Sequence, residues 1–168
     1  GLAADTDQPM PQDMQEQIQA TWRSIRIKLG TEFNFDFWTN NTPRRSTYLS
    51  CRAVIVARDQ GFEKEMLSAI QEAYYLRAMN PSEREVLLQL AGELHYQGLS
   101  LDLDYFGREL ESEQTERKLH EEIDLADTLT HSGFPSLVLE HAGGRKLIRH
   151  DYLDNQITLR QIREQLEQ

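Results

Sequence analysis

The residues able to do chemistry are few and thinly spread. One cysteine, Cys51, lies in "STYLSCRAVIVARDQ". An internal disulfide and a cysteine-paired zinc site both need at least two, so neither is expected, and this usage fits a reducing compartment. Cys51 falls in the middle of a helical pattern, on an apolar stripe between Tyr48 and Ile55. A thiol there gains nothing from a helix end, and Arg52 beside it points to a different face. Cys51 therefore reads as a small buried side chain. The five histidines, His95, His120, His131, His141 and His150, show no H-E-x-x-H spacing, so no metal site is expected. No G-x-S-x-G elbow is present, and Gly143-Gly144 suits a hairpin turn rather than a phosphate loop. No cofactor is called for.

The most informative stretch is "HSGFPSLVLE", residues 131–140. Gly133-Phe134-Pro135-Ser136 runs directly into an apolar strand pattern. Proline cannot donate to a sheet ladder and is confined to edges, first positions and bulges. Two readings stay open from the spacing. A cis X–Pro bond would leave the Phe134 N–H and C=O facing outward, an edge able to pair with an extended peptide. A trans proline would simply begin the strand.

These residues need a scaffold, and the chain has the means to build one. Its 168 residues are 39% hydrophobic and 27% charged, which suits one domain, or one domain with a large insertion. A chain of this length buries roughly 70% of its unfolded surface. The net charge of −10 repels phosphate backbones and anionic lipid, so neither nucleic acid nor a membrane is expected as a partner. The opening "GLAADTDQPMPQDM" lacks the basic start and apolar run of a signal peptide.

Periodicity predicts a helix from Asp13 to Leu29 with Gly30 just past its end. "TEFNFDFW" alternates aromatic and polar residues and reads as an extended aromatic loop on the core, with a strand as the alternative. A helix capped by Thr42 or Ser46, with Pro43 in its first turn, runs to Gly61. Another spans Phe62 to Leu76, until Asn80-Pro81 breaks it. Ser82 and Glu85 form a capping box for a helix ending near His95. Asp102 caps a short helix, and a charged helix runs from about Ser112 to Thr130. The acidic run 109–127 reads as the wet side of that helix. A hairpin turning at Ala142-Gly143-Gly144 follows, then a last helix capped by Thr158. Two strands alone make no stable sheet, so something must complete this one.

"GFPSLVLEHAGGRKLIRH" resembles the cis-proline turn and terminal hairpin of a thioredoxin fold. "STYLSCRAVIVARDQGFEKEMLSAIQEAYYLRAMNPSEREVLLQLA" and "FGRELESEQTERKLHEEIDLADTLTHSGFPSLVL" resemble the helical insertion of DsbA-family predicted disulfide isomerases. "GLAADTDQPMP" resembles the loop after their second strand. The resemblance implies an α/β class, mostly helical as given: a thioredoxin-like fold with a DsbA-type insertion and a C-terminal hairpin and helix. It divides the chain into a loop at 1–12, a helical insertion over 13–130 running into a core helix, and the C-terminal part of a thioredoxin-like domain over 131–168. The family's N-terminal strand, Cys-X-X-Cys helix and second strand have no counterpart, which implies that Gly1 starts partway through the ancestral domain.

What the resemblance implies for function is a thiol–disulfide oxidoreductase or isomerase without its sulfur pair, and so redox-inactive as the chain stands. No catalytic residue is assigned. Gly133, Phe134, Pro135 and Ser136 would hold a thiol- or disulfide-containing peptide or protein, or glutathione. A homodimer and a cytoplasmic location are further expectations. Two alternatives stay open: a non-catalytic thioredoxin-like peptide-binding module, and a relative of the kappa-class glutathione transferases and hydroxychromene carboxylate isomerases.

Overall fold

The computed structural model describes residues 2–130 and 134–167. These divide into two compact units, residues 2–119 and 120–168, with the division falling inside one long helix. Among the described residues there are eight helices and one two-stranded sheet.

In the first unit the helices are α1 (Gln12–Leu29), α2 (Phe37–Asn40), α3 (Tyr48–Arg58), α4 (Glu63–Tyr75), α5 (Arg84–Tyr96) and α6 (Leu103–Glu109), followed by the start of α7 (Glu113–Thr130). Two apolar clusters hold it. The larger is mostly aliphatic: Ala53, Val56, Met66, Leu87 and Leu90 are among its members, with Phe106, all buried. These residues recur at three- and four-residue spacings on α3, α4, α5 and α6, which is why those helices pack together.

The second cluster is aromatic and centres on Trp22 of α1, which is 4% exposed. Phe33 stacks on it at 5.0 Å, Trp38 meets it edge-on at 5.2 Å, and Tyr74 does the same at 5.3 Å. "TEFNFDFW" is therefore an irregular segment ending in the single turn α2, folded around one indole. Gly30 ends α1 at φ 71°, its N–H bonding the Arg26 carbonyl at 3.0 Å; glycine takes that left-handed backbone without a Cβ penalty.

Three helix starts differ from expectation. α3 begins at Tyr48, and neither Thr42 nor Ser46 caps it. Pro43 is instead buried outside the helix, its carbonyl accepting from the Met10 N–H at 2.7 Å. The α3 N-terminus is served from afar, since Asp5 Oδ1 accepts the Leu49 N–H at 3.2 Å and the Ser46 hydroxyl at 2.9 Å. The capping box at Ser82 does not form: its hydroxyl donates to Asn80, and its oxygen accepts from Arg44 Nε at 3.5 Å instead of a helix N–H. Asn80 Oδ1 accepts both the Ser82 N–H and hydroxyl, at 3.2 and 2.8 Å, and α5 starts two residues later. Asp102 does cap α6, accepting the Tyr105 N–H at 2.9 Å.

In the second unit, the remainder of α7 precedes β1 (Leu137–His141), β2 (Gly144–Ile148) and α8 (Asn155–Leu166). The strands pair antiparallel from Leu137↔Ile148 to His141↔Gly144. A Cβ at Gly143 would lie 2.7 Å from the His141 ring, which would have to shift to admit it. The cap of α8 is Asp154, accepting the Gln156 N–H at 2.9 Å, and not Thr158. Thr158 lies buried inside the helix, its hydroxyl accepting the Asp151 N–H at 3.0 Å. No described helix is long and apolar enough to cross a membrane.

Candidate functional site

The turn before β1 is built by what flanks it. α7 ends at Thr130, and β1 begins at Leu137, whose partner Ile148 is buried at 4% exposure. Ile148 anchors that end of the hairpin. Beyond it, Gln161 of α8 ties the chain twice to Arg149, accepting its N–H at 3.2 Å and donating to its carbonyl at 3.1 Å. The hairpin end beside the turn is thus fixed by one apolar anchor and a pair of bonds from the Gln161 side chain.

Gly133 lies outside the described residues. Of the other three, Phe134 and Pro135 are exposed and Ser136 is half-buried. The peptide bond between Phe134 and Pro135 is cis. The Phe134 ring, 51% exposed, is a large apolar surface facing solvent at the head of a strand. The turn contains no sulfur and no ionisable group, so contact and hydrogen bonding are the chemistry it offers.

Cys51 is half-buried in the body of α3, and its N–H donates to the Thr47 carbonyl at 3.0 Å. Among the described residues no group of histidine, cysteine, aspartate and glutamate is arranged to hold a metal ion. His95 contacts the Leu101 carbonyl through Nδ1 at 3.0 Å, the Gly143 N–H donates to His141 Nδ1 at 3.2 Å, and His150 stacks on Tyr152 at 4.5 Å. His131 lies outside the described residues.

The polar centre of the first unit is one the sequence did not reveal. Arg52, 6% exposed, bonds Asp5 at 2.5 Å and Glu116 at 2.6 Å, while its Nε has no partner among the described residues. Burial works against the Arg52 charge, but the hydrogen bonds and charges of Asp5 and Glu116 outweigh it and raise its pKa. Part of the acidic run is engaged in the same way. Glu111 accepts from Arg84 at 2.8 Å and Lys118 of the same stretch pairs with Asp59 at 2.5 Å, whereas Glu121, Asp124 and Asp127 are exposed. No local pattern announces Arg52, because its partners stand 47 and 64 residues away.

No family model matches the chain, and no curated protein matches it. Solved structures do. A candidate protein disulfide isomerase from Nitrosomonas europaea is 25% identical, superposes with a TM-score of 0.78, and is matched over 98% of this chain and 78% of its own. The cytosolic disulfide reductase DsbM from Pseudomonas aeruginosa is 23% identical with a TM-score of 0.71, over 98% of this chain and 79% of its own. The same DsbM with glutathione superposes with a TM-score of 0.69. The mostly helical chain with its β1–β2 hairpin thus has the fold of DsbA-like, thioredoxin-fold proteins.

Proposed function

We propose that this chain is the substrate-holding part of a DsbA-like thiol–disulfide oxidoreductase or isomerase, with Gly133, Phe134, Pro135 and Ser136 as the docking turn. The observation that carries the reading is the match over 98% of the chain to a candidate protein disulfide isomerase and a disulfide reductase. The exposed Phe134 ring at the head of β1 supports the turn's part in it. Residues 13–130 are the helical insertion in this reading, and 131–168 close the thioredoxin-like part.

Disulfide exchange needs an attacking thiolate and a resolving thiol. A single cysteine supplies one sulfur, so the chain alone is redox-inactive in this reading. An insulin-reduction assay with dithiothreitol tests that: the expected rate equals the protein-free rate. Turnover that disappears in Cys51→Ser would overturn it.

Docking is tested separately. A reduced, cysteine-containing peptide is titrated against the wild type and against Pro135→Ala and Phe134→Ala. Weaker binding in both variants is expected, and unchanged affinity in both would sink the docking role. Glutathione is the second ligand to titrate, because a solved DsbM structure holds it. Glutathione binding without peptide binding would favour the kappa-class reading. A cytoplasmic location is part of the proposal, supported by the cytosolic DsbM neighbour. So is a homodimer, which light scattering of the purified chain tests.

A further inference from the structure

The helical unit carries a groove of about 640 Å³ between α1, the segment at Phe33 and α4. That volume lies in the range of small-ligand sites, which are mostly apolar with a few placed polar groups. Ile18 and Ile25 give it an aliphatic wall, and Trp22 and Phe33 contribute a stacked pair. Tyr75, 37% exposed, meets Phe33 edge-on at 5.5 Å and 77°, so two ring surfaces form an open corner.

The charge at this corner has one sign. Glu32 and Glu72 line the groove, both exposed, and no lysine, arginine or histidine does. Basic groups stand in the adjoining recesses, where Arg77 also feels the Glu72 charge and Arg26 shares a lining with Glu32. Arg77 holds Glu93 through both terminal nitrogens, at 2.6 and 2.8 Å, and Arg26 lines the adjoining recess. The same aromatic cluster already accepts a cation elsewhere, since the Arg23 guanidinium sits 5.4 Å from the Phe35 ring centre.

We propose that this groove binds a small organic cation with an apolar body, its charged end held by the Phe33 and Tyr75 rings and by Glu32 and Glu72. The apolar body replaces water against Ile18 and Ile25. The ring quadrupoles attract the cation, and attraction of this kind grows as the cation sheds its water. The net charge of −10 adds a long-range pull of the same sign and repels anions. This site uses none of the residues of the turn at Phe134, so it stands or falls separately from the thiol–disulfide reading.

The only tryptophans, Trp22 and Trp38, both belong to this cluster, so their emission reports on the groove. The probe is benzyltrimethylammonium, compared with neutral benzyl alcohol and anionic phenylmethanesulfonate, each followed by emission and by calorimetry. Saturable binding of the cation is expected, at least about threefold tighter than the alcohol, with none for the sulfonate. Glu32→Gln with Glu72→Gln should weaken the cation by about threefold or more and leave the alcohol unchanged. Tyr75→Phe should bind as the wild type does, and Tyr75→Ala more weakly, with a cooperative urea unfolding transition of unchanged slope confirming the fold. Equal binding of all three probes would make the groove merely apolar and overturn the proposal. So would unchanged cation affinity in the double glutamine variant, or the absence of saturable binding by both methods.

Discussion

Asp5 and Arg52 are joined by a 2.5 Å ion pair across 47 residues, and the other oxygen of the same carboxylate caps α3 through the Leu49 N–H. One aspartate therefore neutralises a buried guanidinium and satisfies a helix end that no local residue serves. Removing one partner of a buried pair costs more than the pair contributes, because the survivor stays desolvated. Here the arginine is buried and the carboxylates are partly exposed, so the asymmetry is clear. Asp5→Asn should cost about 1–2 kcal/mol, since Glu116 still faces Arg52. Arg52→Ala should cost about 3 kcal/mol through the lost pairs and lost packing. Urea unfolding of both single variants and the double variant measures this. Strictly additive losses would show that the two residues act independently.

The pair Arg77–Glu93 sets a pH dependence. The Arg77 hydrogen bonds, with a further one from Gln89, lower the Glu93 pKa to about 2. A carboxylate whose folded pKa is depressed adds stability above its unfolded value, and that stability is lost as pH falls through the folded one. Wild type should therefore exceed Glu93→Gln in stability near neutrality by about 1 kcal/mol at most, because solvent screens a pair one-third exposed. The gap should close between pH 4.5 and about 2. Urea midpoints across that range test it, and a gap that stays constant would contradict the assignment.

Asp102 offers a cleaner cap. Its carboxylate accepts the Tyr105 N–H, and its own N–H donates to Gln60 Oε1 at 2.7 Å. Asp102→Ala removes the first bond only. A loss of about 1 kcal/mol is expected, read as a lower urea midpoint at unchanged slope.

Asn80 is 5% exposed and helps organise the start of α5, where Arg44 also bonds the Ser82 carbonyl and pairs with Glu83. Besides accepting from Ser82, it donates to Glu83 Oε1 at 3.2 Å. Asn80→Ala should cost about 1–3 kcal/mol, as the buried polar groups it serves lose their partner. Ser82→Ala should cost clearly less, because Ser82 is not the helix cap. Reversal of that order would restore the capping box read from the sequence.

What the sequence disclosed follows its range of interaction. Gly30, Asp102 and the apolar stripes of α1, α4 and α5 were legible, because each works within a few residues of itself. Ser82 misled because its hydroxyl donates to Asn80 and its oxygen accepts from Arg44, 38 residues away, rather than from an N–H of α5. Thr158 misled because a buried threonine serving Asp151 has the same spacing as a cap. At the turn, Phe134-Pro135 ahead of an apolar run was visible as a pattern, whereas its anchoring by Ile148 and Gln161 needs the hairpin register. Arg52 and the groove stayed hidden since both join segments dozens of residues apart. Only the fold brings Asp5 to α3, or Phe33 to Tyr75.

The aromatic cluster has an optical consequence. Trp22 and Trp38 lie with ring centres 5.2 Å apart at 61°, and Tyr74 and Tyr75 stand beside Trp22 at 5.3 and 5.6 Å. Chromophores this close and mutually inclined exchange excitation, so their transitions couple into an exciton couplet. That signal overlaps the amide bands, and helix content read from the far-ultraviolet spectrum will be offset by it. Replacing Trp38 with phenylalanine would change the apparent helicity without unwinding a turn of helix.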